Sequence, residues 1–314
     1  MVDRIKGKRV LVTGGAGFIG SHITHALLDL GAQVTVLDNL ESGRMENLAA
    51  VKDKIRFVKG DIVNEADLDA AMVDVDCICH KAALRSVPKS VNDPMRYNEV
   101  NVSGTMKLFI KARDKGIKRV VMASSSSVFG DIDTFPERED FLMKPISPYA
   151  ATKAIGELNS AVFCAMYDME IVNLRYFNVF GPRQSLEDEY AVVVPKFIHC
   201  HLKGQSAPIY DDGEQCRDFV YVGNVVDMNI RCLVAPADKV KGQAFNVGNG
   251  NPHTVNELFF TLKDIIGSTV MPTYLPKRKG DVRKTHADIA KALSAVGWTQ
   301  KVTFREGLEK TVAY

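Results

Sequence analysis

Tyr149 and Lys153 are the two residues of this chain whose types and spacing most directly indicate acid–base chemistry. Ser147 and Pro148 precede them and form a favourable helix start, with the serine as N-cap and the proline in the first turn. The two side chains then lie one turn apart on the same helix face. Because an ammonium favours a nearby phenolate, the pair predicts a tyrosine that acts as a general base near neutral pH.

A glycine-rich turn near the N-terminus predicts a binding site for the pyrophosphate of a dinucleotide. The turn follows the apolar run at 9–13 and precedes a helical pattern of apolar residues. Glycines let the backbone approach phosphate oxygens, and a helix N-terminus supplies unpaired N–H groups with a partial positive charge. The residues expected to contact the cofactor here are Gly14, Gly17, Phe18, Ile19 and Gly20.

Asp38 comes at the end of the next predicted strand, 33–37, and indicates which dinucleotide is bound. It lies 18 residues beyond Gly20 (38 minus 20), close to the spacing expected for a carboxylate that binds the ribose hydroxyls of adenosine. A carboxylate at this position repels a 2′-phosphate. The sequence therefore favours NAD over NADP.

Strands and helices alternate through the first half of the chain, which predicts a mostly parallel sheet with helices on both faces. Further strands are predicted at 55–58, 74–79, 119–123 and 170–174, with helices at 65–72, 97–115 and 149–167. Ligands bind such sheets at the carboxyl ends of the strands. That edge receives Ala82 and Ala83, small enough to admit a ribose or simply tightly packed, and a serine run at 124–127, either a polar turn or the source of a catalytic hydroxyl.

Past residue 175 the pattern becomes mixed. Strands are predicted at 208–210, 217–221 and 244–246, and helices at 190–203, 224–235 and 254–266. We therefore expect an α/β chain with a Rossmann-like doubly wound parallel sheet over 1–175 and a smaller mixed α/β substrate lobe over 176–314. Because no sharp linker separates the two parts, segments of the second are expected to return to the first.

The composition is that of an ordinary soluble globular protein, with 46% hydrophobic and 25% charged residues. A net charge of +2 gives no electrostatic reason to expect a nucleic acid or membrane partner. The six cysteines form no Cys-x-x-Cys pair and no zinc spacing with histidine, so we expect reduced thiols in a cytoplasmic protein and no metal. Neither a targeting signal nor a membrane span is expected.

Taken together, these motifs resemble the extended short-chain dehydrogenase/reductases that act on nucleotide sugars, over nearly all of the chain. The matching segments are the glycine turn, 61–62, the serine run, 149–153 and 175–182. Within that family, the segments at 80–83, 86–90, 217–219 and 280–283 are similar to the UDP-N-acetylglucosamine 4-epimerases. The resemblance also implies a homodimer formed through the helices near 97–115 and 149–167.

The resemblance implies a role for each site residue. Ser125 works with Tyr149, with Ser126 and Ser127 as near alternatives. Lys153 also holds the nicotinamide ribose. Asp61 and Ile62 bracket the adenine. Asn178 contacts the substrate diphosphate, Arg217 and Arg283 neutralise it, and Asp281 binds the uridine ribose. The remaining implied residues are Asn39, Ser42, Gly43, Asn101 and Tyr176 for the cofactor, and Ser86, Ser126, Ser127, Val192 and Tyr210 for the substrate.

The turn after the catalytic hydroxyl indicates which reactions of the family this chain can catalyse. Related dehydratases and decarboxylases carry an acid there, whereas this chain has Ser126 and Ser127. The resemblance therefore implies reversible C4 epimerisation, in which Tyr149 takes the O4 proton and bound NAD accepts and returns the C4 hydride around a 4-keto sugar. The alternative from another class is a non-catalytic NAD-binding sensor. Such proteins usually lose the tyrosine or the lysine, and this chain keeps both.

Thr285 and Arg85 bear on which sugar is used. A tyrosine at the position of Thr285 restricts related enzymes to glucose, so the small threonine implies UDP-GlcNAc and UDP-GalNAc, with UDP-glucose and UDP-galactose as further candidates. Arg85 departs from the glycine of close relatives. Facing the sugar, it would favour UDP-glucuronate or UDP-N-acetylglucosaminuronate; facing solvent, it has no such effect. The alternative for Thr285 is a plain surface residue.

Overall fold

The computed structural model describes residues 2–185, 193–277 and 282–314. Seven parallel strands form its main sheet, in the order β11-β6-β5-β4-β1-β2-β3. These strands are β1 (Arg9–Thr13), β2 (Gln33–Asp38), β3 (Ile55–Lys59), β4 (Cys77–His80), β5 (Arg119–Ser125), β6 (Glu170–Tyr176) and β11 (Ala244–Val247). The strand order reverses between β1 and β4, where doubly wound sheets bind ligands. The predicted fold class is confirmed.

Helices cover both faces of this sheet, and further helices pack against the short strand pairs of the second half of the chain. They are α1 (Phe18–Asp29), α2 (Glu65–Ala71), α3 (Val87–Asn92), α4 (Pro94–Asn98), α5 (Thr105–Asp114), α6 (Pro148–Met166), α7 (Val193–Lys203), α8 (Val222–Val234), α9 (Ala237–Val240), α10 (Val255–Ile266), α11 (Ala290–Val296) and α12 (Phe304–Val312). One apolar core lies between the sheet and α1 and α8, and a second lies between the sheet and α2, α5 and α6. The sheet is therefore buried on both faces, as parallel sheets require.

The second half of the chain contributes to both parts. Its strand β11 pairs with β6 in the main sheet, and α8 packs against α1. The remaining strands form three short pairs: β7 (Asn178–Phe180) with β10 (Phe219–Tyr221), β8 (Pro208–Tyr210) with β13 (Thr273–Leu275), and β9 (Cys216–Arg217) with β12 (His253–Thr254). A separate aromatic-rich core that includes Phe197, Phe259 and Phe304 lies beneath them.

Three predicted elements differ from the structure. The helix expected over 97–115 is instead α4, a π-helical segment at Glu99–Gly104 and then α5. The strand expected from residue 74 begins at Cys77, because Asp74 has a left-handed φ of 57°. The strand expected over 217–221 is divided at Asp218, whose buried carboxylate accepts backbone N–H groups from other segments.

Within residues 2–185, 193–277 and 282–314, no helix combines the length and apolar character that a membrane crossing needs. In the same ranges, no group of three His, Cys, Asp or Glu side chains could hold a metal ion. All six cysteines carry free thiols.

Glu137 lies in the chain segment that precedes α6, and it binds the segment that carries Thr285 through hydrogen bonds to His286. Its backbone N–H donates to the carbonyl of His286 at 2.7 Å, and its carboxylate accepts from the His286 N–H. Asn246 Nδ2 donates to the Glu137 carbonyl at 2.8 Å. Burial, together with a smaller effect of nearby Asp218, raises the pKa of the Glu137 carboxyl to about 7.

This shift predicts a pH-dependent stability. Since the pKa of Glu137 is higher in the folded than in the unfolded chain, its contribution to stability is complete below about pH 4.5 and is lost as the pH rises through 7. Glu137→Gln should flatten the fall in the free energy of unfolding over this window, a slope of up to about 1.4 kcal/mol per pH unit. Urea unfolding at several pH values measures it. Asp140→Asn is the control: the Arg138 guanidinium lowers the pKa of Asp140, so the slope should persist. A Glu137→Gln slope equal to wild type would contradict the assignment.

Candidate active site

A cavity of about 490 Å³ opens at the carboxyl edge of the main sheet. The segments that follow β1 to β6 all contribute to its wall, so the cavity crosses the point where the strand order reverses. It brings the glycine turn, Asp38, the serine run and the Tyr149–Lys153 pair to one place. This is the site at which the sequence predicts chemistry.

The glycine turn is packed too closely for side chains. Gly14 has a left-handed φ of 67°, and a Cβ there would lie 2.7 Å from the Ala82 nitrogen. A Cβ on Gly20 would clash with the Gly14 carbonyl. Within the described residues, α1 begins after Gly17 with no side-chain cap and no acidic residue in its first turn. The helix start therefore leaves its N–H groups and its dipole available to an anionic group at the cavity wall.

Asp38 is buried and held in place by the backbone. Its carboxylate accepts from the Ala16 N–H at 2.9 Å and from the Leu40 N–H at 2.8 Å. A Cβ at Gly43 would lie 2.6 Å from the same carboxylate, so the glycine is required there. Burial raises the pKa of Asp38, and the two backbone donors offset part of that rise. A fixed carboxylate beside a phosphate-binding turn fits the adenosine half of NAD.

Lys153 is placed by the helix that carries Tyr149. The Ser147 hydroxyl caps α6 by accepting from the Ala150 N–H at 3.2 Å. Lys153 Nζ donates to the Ala123 carbonyl at 3.0 Å and lies 5.9 Å from the centroid of the Tyr149 ring. Burial, together with a smaller effect of the Lys81 charge, lowers the pKa of Lys153 to about 8. The lysine therefore lies against the phenol ring, as the i, i+4 spacing predicts.

The surrounding protein alone raises the pKa of Tyr149, against the direction that a neighbouring lysine favours. Burial raises it, while a side-chain hydrogen bond with Ser125 and the charge of Arg85 each lower it. The phenol is thus harder to ionise in this environment than in water. Its ring is fixed by an edge-on contact with Tyr97, at a centroid distance of 6.5 Å. Positive charge close to the phenol opposes this effect of burial on its pKa.

Most residues predicted to bind the cofactor line the cavity: Gly14, Gly17, Phe18, Ile19, Gly20, Asp38, Asn39, Ser42, Asp61, Ile62, Ala82, Ala83, Tyr149, Lys153 and Tyr176. Two others support the wall from behind. Gly43 lies against the Asp38 carboxylate, and Asn101 exchanges hydrogen bonds with the backbone of Leu84 at 2.8 and 2.9 Å.

The residues predicted to bind substrate are divided. Arg85, Ser86 and Asn178 line the cavity, as does the catalytic candidate Ser125, whereas Ser126, Ser127, Tyr210, Arg217, Arg283 and Thr285 do not. Val192 and Asp281 lie outside the described residues.

Thr285 and Arg283 are both held by hydrogen bonds to other side chains. Thr285 Oγ1 donates to Asn178 Oδ1 at 3.3 Å, so it is next to the cavity wall. Arg283 forms two hydrogen bonds with the Asp212 carboxylate, at 2.9 and 3.1 Å. To neutralise a diphosphate, as the resemblance implies, Arg283 would have to exchange that carboxylate for phosphate oxygens.

Sequence reasoning missed several cavity residues, of which Lys81 and Glu41 are charged. Their positions directly after β4 and shortly after β2 could have identified them, since that edge of the sheet binds ligands. It also missed a buried ion pair beneath the serine run. Arg175 donates to Glu157 at 2.8 Å, and the Ser124 hydroxyl donates to Glu157 at 2.5 Å. The Ser124 hydroxyl therefore has a structural role, as a hydrogen-bond donor to this ion pair.

Comparisons with known proteins agree on a family. The model of the NAD dependent epimerase/dehydratase family matches residues 10–248. A UDP-glucose 4-epimerase of Mycolicibacterium smegmatis is 40% identical over 311 residues, 98% of each chain. The solved UDP-N-acetylglucosamine 4-epimerase from Methanobrevibacter ruminantium, in complex with UDP-N-acetylmuramic acid, is 43% identical over 98% of both chains, with a TM-score of 0.93. The UDP-glucose 4-epimerase of Thermotoga maritima with UDP-glucose is 39% identical over 98% of both, with a TM-score of 0.92.

Proposed function

The chain belongs to the NAD-dependent epimerase/dehydratase family, and we propose that it is a UDP-sugar 4-epimerase that interconverts UDP-GlcNAc and UDP-GalNAc. The observation that carries this proposal is the meeting of Ser125, Tyr149 and Lys153 with the glycine turn and Asp38 in one cavity. NAD is the cofactor. We further propose that residues 1–175 bind mainly NAD and that 176–314 bind mainly substrate, with β11 and α8 returning to the main sheet.

We propose a task for each catalytic residue, supported by the geometry of the cavity. Tyr149 holds the proton that leaves and returns to O4, and the Ser125 hydroxyl bonded to it lies on the path between phenol and sugar. When bound, NAD supplies a reversible acceptor for the C4 hydride, and its positive ring opposes the effect of burial on the phenol. Lys153 and Arg85 add positive charge at the same wall. Between removal of the C4 hydride and its return, rotation of the 4-keto sugar presents the opposite face of C4. The return of the hydride then inverts C4.

The proposal extends to the sugar through Thr285, which bonds Asn178 at the cavity wall. A tyrosine there would fill the space beside Asn178 that an acetamido group needs. We predict that Thr285→Tyr abolishes conversion of UDP-GlcNAc and spares that of UDP-glucose, as followed by NMR of both sugars. Thr285→Val, which removes the hydroxyl at constant size, should affect both sugars alike. Equal loss on both sugars with Thr285→Tyr would argue against a size gate.

One observation supports a second candidate substrate. Arg85 lines the cavity, and its charge acts on Tyr149, which supports a position on the sugar side of the site. A guanidinium there suits a carboxylate, which favours UDP-glucuronate or UDP-N-acetylglucosaminuronate. Comparing the conversion of UDP-GlcNAc and UDP-glucuronate by the wild type and by Arg85→Gln separates the two. Preferential loss of uronate conversion in the variant would select the second candidate. NAD bound without conversion of any UDP-sugar would select the non-catalytic sensor.

We propose that the protein is a homodimer formed through α6 and the helices beside it. Leu158, Val162 and Met166 lie on successive turns of α6 and are 58%, 53% and 72% exposed. Such an apolar row on a helix is typical of an interface. Leu158→Glu together with Val162→Glu should give a monomer in light scattering. Leu202→Glu, at an equally exposed leucine of α7, should leave the dimer intact. A wild-type monomer would refute the proposal.

A further inference from the structure

Lys81 places a cation in the cavity wall next to uncharged partners. It follows β4 directly and lines the cavity. Its Nζ donates to the Val121 carbonyl at 3.1 Å and lies 5.5 Å from the centroid of the Tyr176 ring. Burial lowers the pKa of Lys81, and among the described residues the thiols of Cys79 and Cys232 partly offset that fall. No carboxylate of the described residues forms an ion pair with its ammonium group.

A second lysine lies at the same end of the cavity. Lys153 Nζ donates to the carbonyl of Ala123, two residues along β5 from the carbonyl that Lys81 contacts. The two ammonium groups are close enough that Lys81 lowers the pKa of Lys153. The strand end thus carries two cations bound to backbone carbonyls. They lie beside Tyr149 and Tyr176, at the end where the family resemblance implies that Lys153 holds the nicotinamide ribose.

From this arrangement we propose that Lys81 is an electrostatic determinant of the reduction potential of bound NAD. The inference rests on the proposed function, which places the nicotinamide at this end of the cavity. The oxidised ring carries a positive charge and the reduced ring carries none, because the hydride brings two electrons with its proton. An ammonium nearby therefore disfavours the oxidised ring and makes the bound cofactor a stronger oxidant. Lys81 thereby promotes removal of the C4 hydride without touching the sugar.

A purely structural role for Lys81 predicts something different. The Nζ donor joins the residue after β4 to β5, and that bond could simply fix the cavity wall. Lys81→Arg keeps the positive charge, and Lys81→Gln keeps a hydrogen-bond donor but removes the charge. An electrostatic role requires the two variants to differ. If the role of Lys81 is only structural, Lys81→Gln should have the same ratio of reduced to oxidised NAD as the wild type, or both variants should be equally defective.

The test measures the ratio of reduced to oxidised NAD on the purified enzyme, at saturating NAD. The enzyme is poised against a soluble redox couple, and reduced nicotinamide is read by its absorbance. Lys81→Gln should lower the ratio at least about fivefold at a given potential, from the loss of one nearby charge at an intermediate dielectric constant. That change corresponds to about 20 mV for this two-electron couple. Lys81→Arg should stay within about twofold of wild type.

The outcomes separate this inference from the function on which it rests. An unchanged ratio in Lys81→Gln, or an equal change in both variants, overturns the role of Lys81 while the wild type still converts UDP-sugars. A wild type that binds no NAD overturns the proposed function itself. Thermal unfolding shows whether each variant folds, and Lys81→Met, which also removes the charge, replaces Lys81→Gln if that variant does not.

Discussion

Replacing Tyr149 by phenylalanine should lower the turnover of the UDP-sugar by roughly 10²–10⁴, the usual contribution of a positioned acid–base group. The substitution removes only the hydroxyl, so the ring still packs against Tyr97 and Lys153. Binding of UDP should therefore be kept. Initial rates measured by NMR, together with calorimetric titration of UDP, check both parts.

Tyr97→Phe is the matched control for this prediction. Its hydroxyl donates to the Arg85 carbonyl at 2.5 Å in the wall of the same site, away from the proton that must be moved. We expect turnover to fall tenfold at most, a change smaller than that of a lost acid–base group. Near-normal turnover in Tyr149→Phe would remove the assignment of the general base. An equal loss in both variants would show that packing, and not proton transfer, is being measured.

Breaking the buried pair of Glu157 and Arg175 should cost about 3–5 kcal/mol of the free energy of unfolding. Both side chains are buried, at 6% and 5% exposure, so Glu157→Met leaves a guanidinium without its counter-charge. Two further hydrogen bonds depend on the pair, one from Ser124 to Glu157 and one from Arg175 to the Glu139 carbonyl at 3.1 Å. Urea unfolding measures the loss.

The double variant Glu157→Met with Arg175→Met tests the physical reason. With both charges removed, the stability should recover most of the loss, since a buried pair replaced by apolar residues is often neutral. Asp140→Ala removes one member of the exposed pair with Arg138 and should leave the stability nearly unchanged. Additive losses in the double variant would show that the pair does not act as a unit.

The parts of the site that were predictable are those set by local sequence. The glycine turn follows a strand, Asp38 ends the next one, and Tyr149 and Lys153 are one helical turn apart. Each of these depends on neighbours along the chain. Their meeting in one cavity follows from the rule that parallel strands present their carboxyl ends at one edge.

The parts that could not be predicted depend on distant contacts. Asp218 interrupts a predicted strand because backbone N–H groups of Gly250 and Ala287 bind its carboxylate. The pKa of Tyr149 moves upward because burial outweighs the charges near it, and burial is a property of the whole fold. The contacts of Lys81 come from β5 and β6, and only the assembled sheet brings them together.

The central claim is that the protein inverts C4 of a UDP-sugar with NAD that it already carries. Proton NMR of UDP-GlcNAc incubated with the purified protein, with no cofactor added, tests it most directly. We expect the galacto isomer to appear and to approach a constant ratio with the gluco isomer. A spectrum that stays unchanged for UDP-GlcNAc, UDP-glucose and UDP-glucuronate alike would contradict it.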